Sequence, residues 1–407
     1  MNSLSLLLWI VGGILLQLAI FLGYRFWQHW LDYLALRRGA VEVTAPAWQG
    51  LRSFHVVQKH VEDAGQSICS FYLAPQDGLP LAPFQPGQFL TFQLELPAAG
   101  DGTASTVRCY SLSDAPDQRH YRISVKRALA PAASQFSPGR SSNFFHDYVA
   151  VGSVLQVRAP SGYFYIDHSD APVVLIGGGI GITPMLSMLN ACLRERPGRE
   201  VWLFYGVRNS SEVAWKSHLE NLAANHRNFH LQLCWSNPLP GDVPGRDFQQ
   251  RGHIDLELLR RQLPLKPYHF YICGPTPMLQ SLVPALEGWG VPDEQIHFEA
   301  FGPASVQRKS AVPGLATTPD EATKLMVTFS RSGKQLPWES SAGTLLEFAE
   351  AQGIKVDSGC RAGGCGTCQT TILAGEVAYR QTPDFDPEPG TCLMCVCAPK
   401  TSVSLEL

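Results

Sequence analysis

Three cysteines fall within one short stretch, Cys360-Arg-Ala-Gly-Gly-Cys365-Gly-Thr-Cys368, a spacing that no ordinary packed core requires. Gly359, Gly363, Gly364 and Gly366 surround them. These glycines let the backbone wrap closely round a small object and leave its N–H groups free to donate to sulfur. Such a C-x4-C-x2-C loop presents three thiolates to one centre, and a fourth must come from Cys392, Cys395 or Cys397. The other five of the 11 cysteines, Cys69, Cys109, Cys192, Cys234 and Cys273, are scattered singly, as small core residues are. A disulfide framework does not suit a chain otherwise built like a cytosolic enzyme. Zinc motifs favour paired C-x2-C knuckles, and a glycine-dense x4 spacing departs from them. An iron–sulfur centre of two irons and two sulfides needs the four thiolates on offer.

Composition sets the outer limits. With 407 residues, 45% of them hydrophobic, the chain has room for two to three domains, each with its own core. A net charge of −3 gives no electrostatic footprint for nucleic acid. Leu4 to Tyr24 carries no charge. As a helix it would run roughly 31 Å at ~1.5 Å per residue, against a hydrocarbon core of about 30 Å. Trp9, Tyr24, Trp27 and Trp30 stand where interfacial aromatics belong, and the first positive charges are Arg25, Arg37 and Arg38. A cleaved signal peptide needs a positive n-region and a small-residue cleavage site, and neither is present. The expectation is a single-pass anchor in the inner (cytoplasmic) membrane, with everything after Arg25 in the cytoplasm.

The remaining segments differ in pattern. Residues 1–24 form the expected anchor and 25–48 a juxtamembrane linker. Residues 49–168 are β-rich, with strand-like runs at Gln88–Leu96, Thr106–Ser111 and Tyr121–Lys126. In residues 169–302 strand-like runs at Val173–Ile176, Val201–Tyr205, His230–Trp235 and His269–Cys273 alternate with helical stretches at Pro184–Arg194 and Ser211–Ala224. That alternation implies a parallel sheet. Residues 303–322 have a linker composition, and 323–407 hold the cysteine crowd.

The last segment resembles the plant-type ferredoxins, which have a β-grasp fold. An apolar strand (Leu325–Phe329), a helix (Thr344–Gln352), the cluster loop and Gln369–Leu373 follow in that family's order. The family's final cysteine often stands in a Cys-Val-x-x-Pro pattern. Cys395-Val396-Cys397-Ala398-Pro399 matches it with Cys395 as the ligand. The resemblance therefore implies Cys360, Cys365, Cys368 and Cys395 as the metal ligands.

Two motifs lie upstream. Val173-Val174-Leu175-Ile176-Gly177-Gly178-Gly179-Ile180-Gly181-Ile182-Thr183-Pro184 is a buried strand, a glycine turn and a helix start. Such a turn lets phosphates approach the backbone at the positive end of a helix. Tyr271-Ile272-Cys273-Gly274-Pro275 is a strand ending in Cys-Gly-Pro. Together they resemble the nicotinamide domain of the ferredoxin–NADP reductase superfamily. Gly177, Gly178, Gly179, Gly181, Thr183, Pro184, Gly274 and Pro275 then bind the nucleotide, and Cys273 lies beside the nicotinamide.

Arg108-Cys109-Tyr110-Ser111 fits the R-x-Y-S pattern of that superfamily's flavin barrel. Arg108 can pair with a phosphate. Tyr110 can cover the isoalloxazine, and the Ser111 hydroxyl can bond N5. Ser124-Val125-Lys126-Arg127 and Gly139-Arg140-Ser141-Ser142-Asn143-Phe144 match later segments, so Lys126, Ser142 and Asn143 join the flavin-binding set. A pyrophosphate-holding segment implies FAD over FMN. Glu299 falls where the family often places a carboxylate near the flavin. It could equally be a solvated linker charge. With Ser111 and Cys273 it completes the expected catalytic group. Trp235-Ser236-Asn237-Pro238 lacks the Ser-Arg of NADP-specific relatives, which implies NADH over NADPH.

The whole is expected to be a multidomain α+β and α/β protein. A transmembrane helix leads into an antiparallel β-barrel for flavin, a parallel-sheet nicotinamide domain and a β-grasp ferredoxin domain. That order matches the phthalate-dioxygenase-reductase class and the hybrid-cluster-protein reductases. It implies electron transfer from NADH through FAD to one [2Fe–2S] cluster and on to a protein acceptor. A membrane oxygenase, hydroxylase or desaturase is the expected acceptor, with a haem, hybrid-cluster or quinone acceptor and a membrane-tethered redox sensor as alternatives. Asp384, Asp386 and Glu388 are either a docking patch or a solvated loop.

Overall fold

The structure is a computed structural model. It describes residues 48, 50–97, 102–130, 138–301 and 325–407, the last without 340, 341, 357, 360, 362, 364, 365, 381, 382 and 384–386. The expected anchor, the 303–322 linker, Cys360, Cys365, Asp384 and Asp386 lie outside these residues. Among the described residues no helix is long and apolar enough to cross a membrane.

The β-rich segment forms one antiparallel sheet. Its strands are β1 (Arg52–Val61), β2 (Ile68–Pro75), β3 (Phe89–Pro97), β4 (Thr103–Ser111), β5 (Tyr121–Lys126) and β6 (Val154–Ser161), in the order β4-β3-β6-β1-β2-β5. The outer strands meet just past β4 through a Leu112–Ile123 bridge and a Ser113 N–H to Arg122 carbonyl bond of 2.8 Å, so the sheet closes into a barrel. Phe54, Phe71, Phe92 and Leu94 fill the interior, as closure leaves the inward row of each strand no solvent to face. Helix α1 (Arg140–Asp147) adds Phe145, whose ring meets Phe71 at 5.3 Å and Tyr110 at 4.9 Å.

The second segment is a parallel sheet. It contains β7 (Val173–Gly178), β8 (Val201–Val207), β9 (Phe229–Trp235), β10 (Gln250–Arg251), β11 (His269–Gly274) and β12 (Ile296–Ala300), ordered β10-β9-β8-β7-β11-β12. Along β7, Val173 and Leu175 enter one core while Val174 and Ile176 enter the other. A strand covered on both faces has no polar row, which is why its sequence is an unbroken apolar run. Helices α2 (Ile182–Glu195), α3 (Lys216–Asn225), α4 (Leu256–Gln262) and α5 (Thr276–Trp289) connect the strands. The chain order reverses between β7 and β11, and the carboxyl ends of those strands open a crevice where such folds bind ligands.

One sequence expectation fails in this segment. Ser211–Ala224 is not a single helix. A short 3-10 turn (Ser210–Glu212) precedes α3, and Trp215 between them has φ 54°. The Asn209 side chain accepts from the Ser211 N–H, which favours a local turn over helix propagation. The Trp215 N–H donates to the Glu62 carbonyl of the barrel at 3.2 Å, and its indole packs against Arg122. Docking on the barrel thus overrides helix periodicity.

The last segment has a five-stranded sheet of β13 (Met326–Phe329), β14 (Lys334–Pro337), β15 (Gln369–Ala374), β17 (Thr391–Leu393) and β19 (Val403–Leu405), ordered β14-β13-β19-β15-β17. A small pair, β16 (Val377–Tyr379) and β18 (Cys397–Pro399), lies apart. Helix α6 (Leu345–Ala351) is capped reciprocally by Thr344 and Glu347, and it buries Leu345, Leu346, Phe348 and Ala349 against the sheet.

Where barrel meets nucleotide sheet, Arg199 is buried and bridges the junction. Its guanidinium reaches both Asp167 carboxylate oxygens at 3.1 Å and the Ala171 carbonyl at 2.8 Å. The Tyr271 hydroxyl donates to Asp167 at 3.0 Å. Burial alone would raise the Asp167 carboxyl, but bonds from Ser169 and Tyr271 and the Arg199 charge outweigh it and hold the value near about 2. A carboxyl lowered on folding stabilises the protein above its unfolded value, and that contribution is lost as pH falls towards the folded value. Asp167→Asn should lower the unfolding free energy by about 1–2 kcal/mol at neutral pH, allowing for partial solvent screening. In urea unfolding, the gap to wild type should be full at pH 7 and shrink as pH drops below about 4. A gap independent of pH would contradict the ion-pair account.

Candidate active site

Two cavities open at the carboxyl edge of the parallel sheet. The first, of about 440 Å³, is lined by Arg108, Tyr110 and Ser111 at the end of β4, Lys126 of β5, Thr183 of α2 and Glu299 of β12. Ser358, Gly359 and Arg361 of the cysteine-bearing loop complete its wall. The second, of about 680 Å³, is lined by Gly178 and Gly179, Arg208, Glu212, Ser236 and Pro275. Lys126 touches both.

The glycine turn divides them. Gly179 has φ 55° and open space where a Cβ would stand, so the backbone is left bare towards the second cavity. Gly181 has another role. A Cβ there would lie 2.1 Å from the Cys273 carbonyl oxygen, so only glycine lets the turn pack on β11. Helix α2 starts next, with Pro184 as its third residue, a first-turn position where proline costs no intrahelical bond. The Thr183 hydroxyl bonds the Ile180 carbonyl at 3.0 Å, which fixes the turn.

Ser111 is the informative residue of the first cavity. Its hydroxyl is buried and has no hydrogen-bond partner among the described residues. A buried orphan hydroxyl costs stability unless a bound group satisfies it. Beside it the Tyr110 phenol, raised by burial, stays protonated. Arg108 is exposed at the rim, its guanidinium anchored on the Val107 carbonyl at 2.7 Å. A cation, an aromatic face and an unsatisfied donor in sequence along one strand fit a flavin's phosphate, ring and N5.

Several expected site residues fall elsewhere. Cys273 is fully buried in the core with Ile182 and Tyr205 and lines neither cavity. Burial, and secondarily Glu299, push its thiol well up, so it stays protonated. The Ser142 hydroxyl bonds the Ala128 N–H and the Gly139 carbonyl, both at 3.1 Å, and the Asn143 amide holds the Ala128 carbonyl at 3.2 Å. Both therefore close their own loop and line neither cavity. Glu299 is no linker charge, because β12 pairs it with Cys273 and turns it to the first cavity. Sequence inspection missed Glu212 and Ser358, whose only signal was proximity in space.

In the third domain, Arg361, Gly363 and Gly366 all have positive φ, of 56°, 75° and 72°, the tight reversals that a loop wrapped round a cluster needs. Glu350 on α6 grips Arg361 with both carboxylate oxygens. Cys368 and Cys395 are buried, Cys395 on the turn Met394–Val396. Cys392 and Cys397 face each other, and their mutual hydrogen bond, with burial, pushes the Cys397 thiol up.

The barrel, the parallel nucleotide sheet and the β-grasp unit define a pyridine-nucleotide flavoprotein that also carries an iron–sulfur domain. Residues 175–283 match the oxidoreductase NAD-binding domain and residues 327–400 the 2Fe-2S iron-sulfur cluster binding domain. The FAD/NAD-binding domain of a nitric oxide dioxygenase from Vibrio cholerae O1 biovar El Tor is 32% identical with TM-score 0.55, covering 63% of this chain and 100% of that one. Phthalate dioxygenase reductase is 27% identical with TM-score 0.51, covering 88% and 98%. The flavohemoproteins of Halalkalibacterium halodurans and Rhizobium meliloti are 38% and 40% identical over 65% and 64% of this chain. The chain spans 62% and 63% of those two proteins' lengths.

The chain belongs to the ferredoxin–NADP reductase-type oxidoreductases with a flavohemoprotein-like FAD/NAD-binding unit, extended by a C-terminal [2Fe–2S] domain. It carries the domains of an NAD(P)H flavin and iron–sulfur oxidoreductase, with sites for FAD, a nicotinamide dinucleotide and one [2Fe–2S] cluster.

Two outcomes follow from the site. Ser111→Ala should keep the flavin but slow its reduction by NADH about 10–100-fold in stopped-flow absorbance, the value of one lost bond of roughly 1.5–3 kcal/mol. An unchanged rate would remove Ser111 from the chemistry. Cys395→Ser should lose or badly perturb the visible and EPR signals of the cluster, whereas Cys397→Ser should keep them. The reverse result would make Cys397 the ligand.

Proposed function

We propose that this chain is a membrane-anchored NADH reductase that delivers single electrons from its ferredoxin domain to a membrane-associated oxygenase, hydroxylase or desaturase. The observation that carries the electron route is the first cavity, where Ser111 and Tyr110 of the barrel, Thr183 of the nucleotide sheet and Gly359 and Arg361 of the cluster loop line one wall. When bound, the cofactors take a two-electron hydride equivalent in and pass electrons on one at a time.

The chain's own residues have defined tasks in this scheme. Ser111 donates a hydrogen bond at the cavity wall, and Tyr110 covers one ring face. Arg108 holds phosphate charge at the rim. Gly179 exposes backbone to the pyrophosphate at the start of α2. Glu350 fixes Arg361, so the cluster loop keeps one geometry against the barrel. Absence of an arginine at Ser236-Asn237-Pro238 supports NADH over NADPH.

The uncharged stretch Leu4–Tyr24 and the positive charges that follow support an anchor with the catalytic domains on the cytoplasmic side. Anchoring donor and acceptor in one membrane raises their effective concentration. Likeness to phthalate dioxygenase reductase over 88% of this chain supports an oxygenase-type acceptor.

Carbonate-washed membranes holding the full chain should reduce cytochrome c with NADH, and deletion of residues 1–24 should move that activity to the supernatant. Activity washed off the full-length protein would refute the anchor. Undiminished cytochrome c turnover by Cys395→Ser protein shown to lack the cluster would refute the cluster as the exit.

A further inference from the structure

Glu212 stands between the only two Lys or Arg side chains that line the second cavity among the described residues. One of its carboxylate oxygens is gripped by Arg208 through both Nε and a terminal nitrogen. The other receives Lys126 of the barrel at 3.3 Å. The Glu212 side chain is only 13% exposed. Burial alone would raise its carboxyl, but the Arg208 bond and the Lys126 charge prevail and hold it below the usual value, so it is ionised at neutral pH.

The dinucleotide's orientation follows from the two cavities. Its hydride-donating end must reach Ser111 in the first cavity, and its pyrophosphate meets the bare turn at Gly179. The adenosine end then extends into the second cavity, towards the carboxyl ends of β8 and β9, where Arg208, Glu212 and Ser236 stand. A 2′-phosphate on that ribose would bring a dianion to a place where one carboxylate already engages both cations.

We propose that Glu212 is the specificity-determining residue of the nucleotide site, rejecting a ribose 2′-phosphate by occupying Arg208 and Lys126 and by adding a like charge. This rests on the NADH assignment above and goes beyond it by naming the repulsive element. Discrimination built from a charge clash needs no contact that favours NADH itself. It also differs from the missing arginine after β9, since it acts through a residue that is present.

The test uses the full-length holoprotein with ADP-ribose and 2′-phospho-ADP-ribose as probes, titrated calorimetrically at low salt. Glu212→Gln keeps the size of the side chain and removes its charge. It should tighten 2′-phospho-ADP-ribose at least tenfold and ADP-ribose less than threefold, with the difference shrinking at high salt. Glu212→Asp, which keeps the charge, should retain most of the wild-type ratio. In steady-state assays the NADH to NADPH ratio of kcat/KM should fall at least tenfold in Glu212→Gln, mainly through the KM for NADPH. Equal gains for both probes, or none in a variant with a native flavin spectrum, would overturn the role of Glu212. A wild-type preference for NADPH would instead overturn the NADH assignment, which the wild-type protein decides without any variant.

Discussion

The close approach of Gly181 to the Cys273 carbonyl governs the geometry of the site. The turn after β7 can lie on the end of β11 only because position 181 has no side chain. That contact fixes where α2 begins and which backbone faces which cavity. Gly179 is left bare on one side, and Ile180 and Thr183 face the other. The turn is therefore a partition wall between the nucleotide cavity and the flavin cavity, and its position follows from backbone packing before any phosphate arrives.

Around this wall the protein assembles its chemistry from separate domains. The barrel is tied to the nucleotide sheet by Arg199 and Asp167 at one junction and by the Gly65 N–H to Ser211 carbonyl bond of 2.7 Å at another. The second tie also sets the Asn209–Trp215 excursion, which carries Glu212 to Lys126. The cluster loop approaches through Arg361, held by Glu350 on α6. Arg199, Lys126 and Arg361 each meet a carboxylate, as is expected where burial penalises an isolated charge. Ser111 differs, a buried hydroxyl at the cavity wall with no hydrogen-bond partner among the described residues.

Much of this was legible in the chain. The unbroken apolar run of β7, the glycine turn and the Tyr121–Lys126 strand correspond closely to what local pattern implies. So does α6, whose expected ends Thr344 and Gln352 are its caps. Where the expectation failed, tertiary contact won. Trp215 breaks a helix that periodicity favours because it bonds to Glu62. Ser142 and Asn143 satisfy their own loop.

The sequence by itself determined the domain types, the order of the cofactor motifs and the spacing of the cluster thiolates. These depend on neighbours a few residues apart, and periodicity and turn chemistry express them locally. Only the tertiary structure decided that Glu212 lies between Lys126 and Arg208, that Ser358 and Arg361 share a cavity with Ser111, and that Cys273 is withdrawn from it. Apart from the neighbouring Arg208–Glu212 pair, those facts join residues tens to hundreds of positions apart. Their proximity follows from how the three domains pack, and no local pattern records it.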